Sequence, residues 1–209
     1  MPRYAPSIRH ALLSAAVAIA IVAGGPLQTT ARDNTDQKWK AYPNCCPTIN
    51  RYIRAWFSGS FPSTAFKDRV TDGASRWNNV GRDFKFVTTG SSSNHQMVID
   101  YKDLLWPNGD AWAIETNVKF LGGGEIQSAS ISFNSTPGGS SWYTGTGTPG
   151  ATQGDVTSIA THEWGHAVAL KHSQYSADEM WPYINPGQIK DLLTLHDKDG
   201  IKWLYPVAP

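Results

Sequence analysis

Residues 161–172 read THEWGHAVALKH, with His162, Glu163, His166 and His172 as the chemistry-bearing side chains. On an α-helix, residues four apart share a face. His162 and His166 can therefore aim two imidazole nitrogens at one ion. Glu163 lies three residues before His166, so its carboxylate sits beside that ion. This is the helix-borne zinc pattern in which the glutamate acts as general base. His172 lies six residues beyond His166, far around the cylinder of a continuous helix. It joins the set only if the helix ends near Ala169 or Leu170 and the chain turns back. Three protein ligands leave one tetrahedral position open for water, the catalytic rather than the closed structural arrangement.

Outward from this segment, Asp155 stands where a helix N-cap is expected, and Val156, Ile159, Ala160 and Ala167 supply an apolar side. Before it, Ser135 to Gly154 is rich in Gly, Ser, Thr and Pro and reads as a long loop. Arg51 to Phe57 reads as a first strand. Thr64 to Val80 carries Phe66, Val70, Ala74 and Trp77 at helical spacing and reads as an amphipathic helix. Strands are expected over Asp83 to Thr88, Met97 to Tyr101, Ala111 to Phe120 and Ile126 to Asn134. After the histidines, Ser173 to Gln188 is irregular. A last helix is expected from Ile189 to Leu204, docking through Ile189, Leu192, Ile201 and Leu204. The class is α+β: a twisted mixed sheet, an amphipathic helix, a zinc-binding helix and a C-terminal helix.

The segment HEWGHAVALKH resembles the elongated zinc motif HExxHxxGxxH of the metzincin clan. The preceding GDVTSIAT, Ser173 after the last histidine, and the closing DGIKWLY look like matrixins, the matrix-metalloprotease family. The resemblance covers Arg51 to Tyr205. It implies a zinc endopeptidase with one catalytic zinc on His162, His166 and His172 and with Glu163 as base. It also implies a Met-turn beneath the site, for which Met180 in SADEMWPYI is the candidate. Tyr183 is a candidate contact for substrate or oxyanion. Matrixins hold an extended peptide on an edge strand, and Ile126 to Asn134 is the expected counterpart. The family's glycine is Ala169 here, so either Ala169 takes positive φ or the turn shifts by a residue. Outside the motif, only His95 and His196 follow the leader, so no matrixin-type second zinc is expected. Calcium at the Gly-rich loops or near Asp110 is left open, because no ligand set is readable there.

The rest of the chain sets the context. Met1 to His10 is basic and Ala11 to Ala23 is almost wholly apolar, followed by small residues at Thr29-Thr30-Ala31. That order reads as a signal peptide over 1–31. The apolar run is too short for the roughly 20 residues of a spanning helix. Residues 32–49 read as a short pro-segment or N-terminal arm, and 50–209 as the catalytic domain, secreted and extracellular. Net charge is +1 with no basic patch, which argues against nucleic acid and against stable membrane association. Protein or peptide substrate and a monomeric state are expected. Cys45 and Cys46 are adjacent, so they cannot staple distant parts. The family's cysteine-switch sequence is absent around them. Two other readings stay open: a zinc-containing but inactive peptide-binding protein, and a carbohydrate-binding β-protein suggested by Trp and Gly/Ser content.

Overall fold

A computed structural model describes residues 51–80, 83–104, 111–120 and 125–206, together with 19–20 and 38–39. The rest of residues 1–31, Cys45, Cys46 and Asp110 lie outside the described residues. The strands are β1 (Ile19–Ala20), β2 (Lys38–Trp39), β3 (Tyr52–Phe57), β4 (Lys85–Thr89), β5 (Met97–Lys102), β6 (Ala113–Phe120), β7 (Glu125–Asn134), β8 (Ser141–Tyr143), β9 (Gln153–Asp155) and β10 (Tyr183–Ile184). The helices are α1 (Thr64–Asn78), α2 (Val156–Ala167) and α3 (Leu195–Leu204).

The main sheet runs β2-β7-β5-β3-β4, with β6 also paired to β7. The β3/β4, β3/β5 and β5/β7 ladders are parallel, and β6 runs antiparallel to β7. The mixed α+β class read from the sequence is the class observed. One expectation fails: β7 lies between β5 and β6, so it is not the edge strand. Among the described residues β6 pairs only with β7, so β6 is the edge on that side of the sheet and β4 the edge on the other. Strand pairing is non-local, and alternation within one strand carries no information about its neighbours.

Ser63 caps α1 by accepting the Phe66 N–H. The helix buries Phe66, Val70, Gly73, Ala74 and Trp77, one stripe at helical period. That stripe meets α2. At Gly73 an added Cβ would lie 2.8 Å from the Thr161 backbone nitrogen and 2.9 Å from Ala160 Cβ. The missing side chain therefore lets the two helices touch. Two tryptophans lock the contact reciprocally: Trp77 Nε1 donates to Thr161 O at 2.7 Å, and Trp164 Nε1 donates to Val70 O at 2.9 Å. Buried indole N–H groups need acceptors, and here each finds one on the facing helix. Helix α2 is buried along its whole length, so its histidines are held in the interior.

Two loop assignments change. Ser135 to Gly154 is not wholly irregular, because β8 and β9 form a short parallel ladder. Trp142 of β8 packs on Trp112 and donates to Asn134 O at 2.7 Å. The last helix starts at Leu195, not Ile189. A capping box between Thr194 and Asp197 sets that start. Ile189 and Leu192 are 51% and 74% exposed and do not dock, whereas Ile201 and Leu204 are buried.

Candidate metal centre

Helix α2 begins where Asp155 accepts the Ser158 N–H at 2.8 Å and the Ser158 hydroxyl at 2.7 Å. Two turns later it presents His162 and His166, whose ring centroids lie 4.7 Å apart. The helix ends at Ala167 with Val168 as C-cap. The Leu170 N–H then reaches back to Gly165 O at 3.0 Å, and the Ala169 N–H to His166 O at 2.7 Å. This paired bonding pattern closes a helix through one left-handed residue, usually glycine. The residue here is Ala169, at φ 70°. The turn has not shifted; alanine takes the strained conformation, which costs a residue with Cβ roughly 1–2 kcal/mol. Ala169→Gly is therefore expected to raise stability by about 1 kcal/mol, or about 2–4 °C in Tm for a domain of this size. A thermal melt checks it; a lower Tm would mean the alanine methyl contributes more by packing than its backbone costs.

The reversal brings His172 back to its partners, with centroids 5.3 Å from His162 and 4.8 Å from His166. One ligand atom from each histidine lies within 4.8 Å of the other two. His166 Nε2 and His172 Nε2 are 3.1 Å apart. Two nitrogens at about 2.0–2.1 Å from a tetrahedral zinc would be about 3.3 Å apart, so little adjustment is needed.

The remaining ring nitrogens fix the tautomers. His162 Nδ1 lies 2.7 Å from Glu179 O, and His166 Nδ1 lies 2.8 Å from Leu170 O. A carbonyl oxygen only accepts, so each Nδ1 carries the proton and each Nε2 keeps its lone pair. His162 Nε2 is buried with no hydrogen-bond partner. Burial, then the neighbouring imidazoles, hold His162 well below the ordinary histidine range. The same causes bring His166 to about 3, and burial brings His172 to about 4. Three neutral imidazoles with convergent lone pairs fit a zinc ion.

Glu163 is fully buried on α2, next to His162. Met180 is also fully buried. An added Cβ at Gly165 would fall 2.2 Å from Met180 Sδ, so Met180 packs directly against α2 at Gly165, between the two helical histidines. The Ser173 N–H donates to Met180 O at 2.7 Å, which ties the His172 segment to this turn. Tyr183 is 40% exposed and packs edge-on against Trp181 at 5.7 Å. His95 packs at a tilt against Trp56, and His196 Nδ1 pairs with Asp178 at 2.7 Å.

Sequence reasoning missed the support beneath the histidines. Asp197, fully buried, accepts from the N–H groups of Glu179 at 3.0 Å, Met180 at 3.3 Å and Thr194 at 2.9 Å. It thereby fixes the carbonyl that orients His162. Asp178 accepts from Ser173 Oγ, Thr194 Oγ1 and His196 Nδ1. Burial pushes its carboxyl up, but those hydrogen bonds outweigh it and leave it below the ordinary range. Thr194-x-x-Asp197 was a readable capping signal; nothing local marked Asp178.

Among the described residues no helix is long and apolar enough to cross a membrane. A family model described as matrixin matches residues 51–206. Two plant proteins share a 55-residue stretch: Metalloendoproteinase 2-MMP of Arabidopsis thaliana is 42% identical over it, and Metalloendoproteinase 1-MMP of the same plant 40%. Each alignment covers 26% of this chain and 15% of the plant protein. With three convergent imidazoles on an α+β scaffold and the family match across most of its length, this chain belongs to the matrixin family of zinc metalloendopeptidases.

Proposed function

We propose that this chain is a secreted zinc-dependent endopeptidase acting as a monomer on protein or peptide substrates. In this reading residues 1–31 are a signal peptide, 32–49 a pro-segment or arm, and 50–209 the catalytic domain. His162, His166 and His172 hold one zinc ion. The observation that carries the reading is the tautomer geometry: Nδ1 of His162 and of His166 is committed to a backbone carbonyl, and Nε2 faces the shared centre.

Bound there, zinc supplies Lewis acidity, lowering the pKa of water to about 7 and polarising a carbonyl. The chain's own residues do the remaining work. Glu163 takes the proton of the attacking water on its carboxylate and delivers it to the leaving amine. Burial keeps that carboxylate out of bulk solvent. The outer edge of β6 offers main-chain groups for an extended peptide. Tyr183, partly exposed after the Met180 turn, is a candidate substrate contact.

The test is cleavage of denatured casein by the purified protein. Activity is expected to fall to background with a zinc chelator and to return on adding zinc. Cleavage that persists in excess chelator contradicts the reading. A protein that holds zinc but cuts nothing is instead the inactive binding protein.

A further inference from the structure

Ser158 and His162 lie one turn apart on a single face of α2. A different segment meets each of them. The Lys190 N–H donates to Ser158 Oγ at 2.7 Å, and His162 Nδ1 donates to Glu179 O at 2.7 Å. The side chains of Glu179 and Lys190 then line one narrow space, walled by Ile159, Trp181 and Ile184. The contacts trace a ring from Ser158 through Lys190 and Glu179 to His162, and back along α2.

The link between the two side chains is the open part of that ring. Glu179 Oε2 and Lys190 Nζ are buried, and among the described residues neither has a hydrogen-bond partner. Burial pushes Glu179 well above the ordinary carboxylate range and Lys190 below the ordinary lysine range, and the charge of each opposes the shift of the other. Buried polar atoms ordinarily have partners. The space between these two holds about one water molecule, and a substrate side chain does not fit. A water there donates to the carboxylate and accepts from the ammonium.

We infer that Glu179 and Lys190 are positioning residues, joined through one buried water that closes the ring behind His162. The inference rests on the proposed zinc site and adds what holds its first histidine in place. Neither side chain touches metal or substrate. They act through the Glu179 carbonyl, which keeps the His162 proton on Nδ1 and the lone pair on Nε2. A buried charge that loses its partner is strongly disfavoured. Without Lys190, the Glu179 side chain is driven toward solvent and takes its own carbonyl with it. Charge alone predicts the opposite sign, because deleting a cation beside a metal ion strengthens metal binding.

The experiment uses the full purified protein, stripped of metal and titrated with zinc against an indicator. Lys190→Met is expected to weaken zinc binding by about tenfold or more. It is also expected to speed exchange of the His162 Nδ1 proton, followed by NMR in the metal-free protein. Glu179→Gln combined with Lys190→Met leaves no unpaired charge and is expected to recover most of the lost affinity. Zinc binding by Lys190→Met as tight as wild type, or tighter, overturns the positioning role even where Tm falls. So does a double variant as weak as Lys190→Met. A crystal structure of the wild type tests the bridge without any variant. One water within about 3.2 Å of both Glu179 Oε2 and Lys190 Nζ is expected. Direct contact of the two side chains, or no water between them, overturns the bridge. A wild type that binds no zinc overturns the zinc site instead, and the crystal structure still decides the bridge.

Discussion

Glu163→Gln is expected to lower kcat by about 10²–10⁴-fold while leaving one zinc per chain. Glutamine keeps the shape of glutamate, so the packing of α2 against α1 is preserved. What it loses is the ability to take a proton. Glu163 is fully buried within a helix that is buried along its length, so bulk water is poorly placed to replace it as base. In the proposed reading the three histidines carry the metal, and zinc content measured by atomic spectroscopy on the same sample separates chemistry from site assembly. Near-wild-type turnover would remove Glu163 from the mechanism. Loss of zinc along with activity would make it a structural support.

Asp197→Ala is expected to have the largest effect on stability. The carboxylate accepts from three backbone N–H groups, on Glu179, Met180 and Thr194. Removing it leaves donors in a buried region without acceptors, at about 1–3 kcal/mol for each that water cannot reach. It also dissolves the capping box that starts α3. A loss of about 3 kcal/mol or more follows, which lowers Tm by roughly 6–12 °C. The second consequence is functional. Once the Glu179 backbone is released, His162 loses the carbonyl that fixes its tautomer, and losing the hydrogen-bond partner behind a metal-binding histidine typically costs about 10–100-fold in metal affinity. Thermal melts and competition with a zinc indicator measure the two effects. A variant with wild-type Tm would show that water replaces the carboxylate.

Much of the site was legible because it is local. His162, Glu163 and His166 follow from helical spacing, and Asp155 caps that helix as read. His172 was harder, since its place depends on a turn that alanine disfavours. The structure answers this by straining Ala169 rather than moving the turn. Met180 was legible only through its distance from His172; its contact with Gly165 is tertiary. Asp178 and Glu179 act through contacts between segments distant in sequence, for which one sequence offers no period or spacing. The same cause explains the misplaced sheet edge, because strand order is not written within any strand. Ile189 and Leu192 imitate helical spacing, yet the Thr194 capping box starts the helix beyond both.

The most direct test of the three-histidine zinc site is X-ray absorption at the zinc edge of the purified protein. One zinc per chain is expected, with three imidazole nitrogens at about 2.0–2.1 Å and one light oxygen donor. A His172→Ala sample is expected to show two imidazoles. A wild-type shell containing sulfur, or one with four protein ligands and no exchangeable position, would contradict the assignment. So would an unchanged imidazole count in the variant.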